Sequence, residues 1–275
     1  MSAPHQRPQA RQTQTPEQAL RPLREHGARR GLANLLRKEA AAWTRTRLGL
    51  VQLLLWPALL LGLQAVPLVA LRELFTAEFG SPADAALDMF LSIGALAPAA
   101  GAVILAHGVI IGERTLGTAA WVLSKPVARS AFVLAKLLVL AAGLLLCALV
   151  VPAAATFALQ ALERGAALPL LPSLAAVGLL ALHLLWYLSL TLLLGTLTNA
   201  RGAVLAVPLV SLVGGDVLIG ALPALAELGP WLLSRMAVVI ATGGPLVSPW
   251  PLLSSGIAVV VFVALALWRF NREEL

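Results

Sequence analysis

An all-α protein that crosses a membrane six times is the fold class this sequence predicts, and three observations carry it. First, 59% of the 275 residues are hydrophobic and 12% charged, with a mean hydropathy of +0.88. A soluble domain would be roughly 45–50% apolar and about 25% charged. Second, the apolar residues form long unbroken runs, each near the ~20 residues a helix needs to span hydrocarbon. A transmembrane barrel would instead alternate over ~10-residue segments. Third, the charges are segregated: residues 1–47 hold 13 of the 33 charged side chains, ten of them basic. A soluble globular enzyme and a disordered chain are both excluded. Cys147 is the only cysteine, so no intrachain disulfide forms and it reads as a packing residue. The first 47 residues lack an apolar signal core, so we expect no cleavable signal peptide and a first run that is itself an anchor.

In chain order, residues 1–30 are rich in Gln, Arg and Pro and read as a disordered basic cytoplasmic tail. Its cations suit anionic lipid and enforce orientation. Over 31–47, Leu32, Leu35, Leu36, Glu39 or Ala40, and Trp43 recur at helical spacing, with Arg37, Lys38 and Arg45 off that stripe. This predicts an amphipathic helix lying in the inner interface, with Trp43 at the headgroup level. The alternative is a plain extension of the first span. Spans follow at about 48–71, 87–111, 132–157, 173–197, 203–222 and 251–268. Pro57, Pro98 and Pro152 fall inside them, which membrane helices tolerate. Between the last two spans, 223–250 is apolar but broken by Pro223, Glu227, Pro230, Arg235, Gly243, Gly244, Pro245 and Pro249. It reads as one or two short helices dipping into the outer leaflet.

Charge asymmetry orients the chain. With the N-terminus inside, 17 of the 20 basic residues lie on the cytoplasmic side, leaving Arg72, Arg164 and Arg235 outside. The first outer loop is net acidic, with Glu73, Glu78, Asp84 and Asp88 against Arg72. A seventh span over 223–250 would put Arg269 and Arg272 outside, against this rule.

Signatures of catalysis are missing from the residues: there is neither HExxH nor GxSxG, and His107 and His183 read as packing residues rather than metal or proton sites. Gly112-Glu-Arg-Thr-Leu-Gly117 has phosphate-loop spacing, but Thr118 follows where a Walker A needs Lys, and no strand precedes it. ATP binding by that route is not expected, and no catalytic residue, metal site or cofactor is assigned to this chain. Asp216 is the one carboxylate well inside a predicted span. Such a group should face protein or water, so it reads as an interface or pathway residue, or else as one reaching headgroups. Gly108 and Gly112 make a Gly-x3-Gly pair of the kind that packs membrane helices.

The second cytoplasmic loop, 112–130, is the most informative stretch. Residues from Glu113 to Ser124 have the length of about three helical turns. Pro126 stops that helix and Ser130 is placed to cap the next. Leu116, Ala120 and Leu123 give it an apolar side, which must be covered by lipid or by a docked partner.

Gly112-Glu113-Arg114, Leu116-Gly117-Thr118, Leu123-Ser124-Lys125-Pro126-Val127, Arg129 and Lys136 resemble the loop of the ABC-2 type transporter permeases. That pattern runs E-R-E-x-G-T-x-x-x-L-L-S-x-P-V-S-R, followed by G-K. Thr115, Ala128 and Ala135 depart from it. Leu35-Leu36-Arg37-Lys38-Glu39 is similar to the family's start, and the stretch from Leu267 to Leu275 to its end, so the resemblance covers 32–275. The branch it looks like is that of bacterial permeases similar to the nitrous-oxide-reductase maturation permease, which does not make copper the cargo.

The resemblance implies a type V exporter-like transmembrane domain in a bacterial plasma membrane, both termini cytoplasmic. It implies a second permease chain, identical or related, and two separate ATPase subunits that carry ATP and magnesium; nucleic acid is not a partner. Glu113, Arg114, Thr115, Leu116, Gly117, Thr118 and Lys125 would belong to a coupling helix seated on the ATPase. Leu35, Leu36, Arg37, Lys38 and Trp43 would belong to an elbow helix, and 223–250 would be outer re-entrant helices. Two other functions stay open: a membrane anchor or assembly factor for an ATPase, and an ion-driven carrier. The latter normally needs ionisable groups near the midplane, for which only Asp216 and His183 are available. The Leu, Ala, Val and Gly of the spans suit lipid-like, drug-like or peptide cargo, and equally a dry closed pathway.

Overall fold

The computed structural model describes residues 30–246 and 248–272, with all side chains among them except those of Ala119, Ala120 and Leu123. The predicted tail, Arg30 apart, lies outside the described residues, and so does 273–275.

Every regular element among the described residues is helical. The first helix, α1 (Leu32–Thr44), precedes α2 (Arg47–Ala65), which runs on through a π-helical turn at Val66–Ala70. Next come α3 (Arg72–Phe79), α4 (Pro82–Ala106), α5 (Val109–Thr115) and α6 (Thr118–Leu123). Then α7 (Arg129–Leu144) passes through a second π-helical turn, Leu145–Val150, into α8 (Val151–Arg164). The chain continues with α9 (Leu170–Leu197), α10 (Arg201–Val213), α11 (Gly215–Ala221) and α12 (Pro223–Ala226). A 3₁₀ turn at Pro230–Leu232, α13 (Leu233–Ala241) and α14 (Trp250–Asn271) complete it. Each π turn sits beside a proline, Pro67 or Pro152. Proline has no N–H to give the ladder and its ring crowds the preceding turn, so the register shifts there.

Five stretches are long and apolar enough to cross a bilayer: Arg47–Ala70, Pro82–Thr115, Arg129–Arg164, Leu170–Leu197 and Trp250–Asn271. The second and third are 34 and 36 residues long. At ~1.5 Å per residue each exceeds ~30 Å of hydrocarbon by a wide margin. Their ends therefore project beyond the bilayer and carry the loop that joins them.

The remaining predicted span is not one straight helix. α10 and α11 meet at 49°, and counting them as one crossing gives six. The bend has a visible cause. Trp231 packs so close to the Gly215 backbone that a Cβ there would lie 2.3 Å from its ring, and one on Gly229 would lie 2.1 Å from it. The indole Nε1 donates to the Ser211 carbonyl at 2.7 Å. A side chain wedged against the helix ladder is a recognised cause of kinks, and only glycine leaves the room here.

At the centre lies α9, packed against α4, α13 and α14. Its membrane stretch is 61% buried, against 28% for α2 and 17% for α14, so the outer surfaces of the flanking helices are left for lipid or another chain. The apolar core runs in three clusters. One gathers α1, α7 and the end of α14 around Phe132 and Phe270, whose rings stack at 5.5 Å. A second sits around Phe90 and Leu180, and a third around Trp186 and Tyr187. The three arginines that the charge rule leaves outside each find a carboxylate: Arg72 with Glu163, Arg164 with Asp84, and Arg235 with Asp216.

Gly215→Ala should push Trp231 out of its seat and lower stability by roughly 1–3 kcal/mol. Gly220→Ala, with open space around it, should leave stability within about 0.5 kcal/mol. Thermal unfolding in detergent of both variants beside the parent checks the difference.

Candidate functional site

Lys136 sits on α7 among apolar neighbours and is only 4% exposed. An unpaired ammonium there would cost several kcal/mol, so the fold must supply anions. Glu113, at the end of α5, lies 2.8 Å from Lys136 Nζ, and Glu39 of α1 lies 3.2 Å away. Lys38 approaches the same two carboxylates at 3.5 and 3.7 Å. Two acids and two bases thus balance. The second carboxylate oxygen of Glu113 accepts from the Thr118 hydroxyl at the start of α6, and that hydroxyl also donates to the Glu113 carbonyl at 3.2 Å. Four elements, α1, α5, α6 and α7, are tied through one carboxylate.

Arg114, the next residue, points to a different part of the bundle. Its guanidinium donates to the carbonyls of Gly195 and Thr196 at 3.1 Å each and to Asn199 Oδ1 at 3.2 Å. The last carbonyls of a helix are unsatisfied and carry the negative end of its dipole, so the C-terminus of α9 is a natural seat for this cation. The guanidinium also lies 5.7 Å from the Phe270 ring of α14. Arg129 donates to the Asn271 carbonyl at 3.3 Å, a second link to the end of α14.

The helix expected to run from Glu113 to Ser124 is in fact split. Glu113, Arg114 and Thr115 belong to α5, and Thr115 turns its hydroxyl back to the Gly112 carbonyl at 3.0 Å. Gly117 then takes φ +69, a left-handed conformation that ends helices because only glycine adopts it freely. The chain restarts as α6. Leu116 at the corner is 78% exposed and Trp121 on α6 is 64% exposed, while Lys125 Nζ covers the Trp121 ring at 3.8 Å. The other two residues of the expected apolar side, Ala120 and Leu123, have side chains outside the described set. The next helix is entered from Ala128 rather than from Ser130, which is buried within its first turn. The Ala128 N–H donates to the Arg30 carbonyl at 2.9 Å, joining the start of α1 to the start of α7.

The amphipathic stripe of α1 faces protein rather than lipid. Leu35 is buried, and Leu32, Leu36 and Trp43 pack on the same cluster. The indole of Trp43 occupies the space where a Gly143 Cβ would stand, 2.7 Å away. It thus rests on the glycine of a neighbouring span. Arg37 stays at the surface beside Asn34. Between α1, α5 and α6 opens a cleft of about 640 Å³ lined by Lys38, Trp43, Gly112, Glu113 and Trp121. Gly108 and Gly112 have open space around them and line this cleft, so the Gly-x3-Gly pair packs against no helix among the described residues. Asp216 belongs to none of this. It lies just past the α10–α11 bend, 85% exposed, paired with Arg235 at 2.9 Å.

Glu39 and Lys136 were not singled out as site residues from sequence. The signal was present in Lys136, a cation within an apolar helix that had to find an anion. Its partners come from positions 23 and 97 residues away, and no spacing rule reaches them. Among the described residues no group of three or more His, Cys, Asp or Glu could hold a metal ion.

Lys136→Ala should leave the Glu39 and Glu113 carboxylates with only the half-exposed Lys38 beside them and cost roughly 2–4 kcal/mol. Glu39→Gln keeps the Lys136–Glu113 pair and should cost about 1 kcal/mol. Melting temperatures of the purified variants check this order.

Comparison with known proteins adds one finding. The family model described as ABC-2 family transporter protein matches residues 33–275. That stretch includes every element from α1 to α14 apart from the first residue of α1. No curated protein matches the chain. With most of its length covered and an all-helical architecture of five to six candidate crossings, this chain belongs to the ABC-2 family of transporter proteins.

Proposed function

We propose that this chain is the permease subunit of an ATP-driven exporter, with α6 and the Leu116–Gly117 corner as its contact on the ATPase. Membership of the family makes it a membrane component of an ABC transporter, associated with an ABC ATPase subunit. The finer reading places two copies of this chain, or this chain and a related one, with two ATPases that bind ATP and magnesium. It puts both termini on the cytoplasmic side of a bacterial plasma membrane. Within the family, the loop lettering favours the branch similar to the nitrous-oxide-reductase maturation permease.

The observation that carries this reading is a contrast within one loop. Leu116 and Trp121 are exposed apolar side chains at the end of a helix that overshoots the bilayer. The residues beside them, Glu113 and Arg114, are anchored inward. Exposed aromatic and aliphatic anchors on a polar rim are what docking hot spots look like. The inward anchors supply the transmission. A push on α6 acts through Thr118 and Glu113 on α7 and α1, and through Arg114 on α9 and α14. Closure of an ATPase dimer that moves α6 would thereby bias a rocking equilibrium of the bundle. Glu113 and Arg114 are in this reading transmission residues; Leu116, Gly117, Thr118, Trp121 and Lys125 form or shape the contact.

Co-purification with the ATPase encoded beside this chain tests it. Trp121→Ala or Leu116→Asp should weaken the complex roughly thirtyfold while leaving the melting temperature of the permease alone unchanged. Gly117→Pro cannot adopt φ +69 and should abolish substrate-stimulated ATPase activity. Unchanged capture by both surface variants would exclude the corner as the contact. An ATPase that is captured but never stimulated by any transported compound would favour the anchor reading.

A further inference from the structure

A second cavity, of about 370 Å³ and sharing no lining residue with the cleft at α6, lies where α13 and the 3₁₀ turn meet α4, α9 and the α10–α11 bend. Its polar lining comes from Ser92, His183, Asp216, Trp231, Ser234 and Arg235. His183 is 4% exposed. Its Nδ1 is 3.1 Å from the Pro230 carbonyl oxygen, and a carbonyl only accepts, so Nδ1 carries the proton. In the neutral ring Nε2 is then a bare acceptor, and it has no partner among the described residues. A buried acceptor without a partner, on a residue that borders a polar cavity, wants a donor. The ring is held in place by Tyr187, at 5.1 Å between centroids.

The cavity also carries one charge of each sign. Asp216 and Arg235 touch at 2.9 Å yet stay 85% and 57% exposed, so each keeps free hydrogen-bonding capacity. Arg235 has a second face. It borders a mainly apolar pocket of about 210 Å³ lined by Leu232, Met236, Val239, Ile240 and Leu246, with Glu227 at its edge. A polar chamber with a spare acceptor, a carboxylate and a guanidinium thus adjoins an apolar one at a single arginine, which is the complement of an amphiphile.

We propose that this site binds a zwitterionic, phospholipid-like amphiphile. Its ammonium donates to His183 Nε2 and Asp216, its phosphate lies on Arg235, whose fork matches phosphate geometry, and a chain lies over Met236 and Val239. The proposal goes beyond ATPase docking and does not rest on it, since binding is read on this chain without nucleotide.

Native mass spectrometry of the full-length chain in detergent, offered equal amounts of phosphatidylethanolamine and phosphatidylglycerol, tests it. The expected result is retention of phosphatidylethanolamine over phosphatidylglycerol by about fivefold or more, because only the former brings the ammonium. Asp216→Asn should cut that retention roughly tenfold, the scale of one charge-assisted hydrogen bond. Asp216 is exposed, so this variant should fold and melt like the parent. His183→Phe, which keeps the ring and removes the acceptor, should act in the same direction. Equal retention of the two lipids, or an Asp216→Asn chain that binds like the parent, overturns the proposal. Free glycerophosphoethanolamine at about a hundredfold excess should not displace the lipid, because it lacks the chain for the apolar pocket. Displacement would assign the site to a free zwitterion and overturn the lipid assignment.

Discussion

A lysine ammonium that is almost entirely buried dictates much of one end of this molecule. Lys136 is carried there by α7, which is otherwise apolar from Ala131 on and packs on α1 and α14. Its charge is balanced only if Glu113 and Glu39 are brought to it from two other elements. Replacing the set by hydrocarbon would be energetically acceptable, while removing one member is not. A network of this kind is therefore weak as a source of stability and strong as a constraint on position. Once α1 and α5 are drawn to Lys136, the Thr118 hydroxyl fixes α6 to the same carboxylate, and the loop has one place to sit.

Arg114 extends the constraint across the bundle. Neighbouring residues on a helix point about 100° apart, so Glu113 and Arg114 reach different partners from one turn. One holds α7 and α1, the other the C-terminus of α9 and the ring of Phe270. Movement of the α5–α6 corner cannot be absorbed locally, because its polar anchors lie on four separate helices. In the proposed reading this is what coupling requires: a small contact surface tied by part-buried polar bonds to elements that move as rigid bodies. Gly117 breaks the helix between Glu113 and Arg114 on one side and the exposed Trp121 on the other.

The other end of the molecule follows a different logic. There the close approach of Trp231 to Gly215 and Gly229 sets the bend of the α10–α11 pair, and shape rather than charge decides. The bend places Asp216 beside Arg235 and opens the cavity next to His183. A carboxylate that would be costly inside hydrocarbon is thereby exposed and paired.

The class of the protein, and the stretches apolar enough to cross a membrane, can be read from the residues alone. Apolar runs of membrane length need no tertiary information, since each span satisfies its own backbone hydrogen bonds. Pro126 marks the end of the loop helix for a related reason, because it acts on the chain locally, but spacing does not announce the left-handed turn at Gly117 that splits that helix. Tertiary structure decided the rest. The stripe of Leu35, Leu36 and Trp43 announces a buried face, but only the packed fold shows α7 covering it, with Gly143 making room. Glu113 reads from sequence as the start of an exposed helix, yet a lysine 23 residues on turns it inward. Asp216 reads as lying inside a straight span, yet a tryptophan fifteen positions later sits at the break just before it. Each depends on a partner distant in sequence, and periodicity describes one helix at a time.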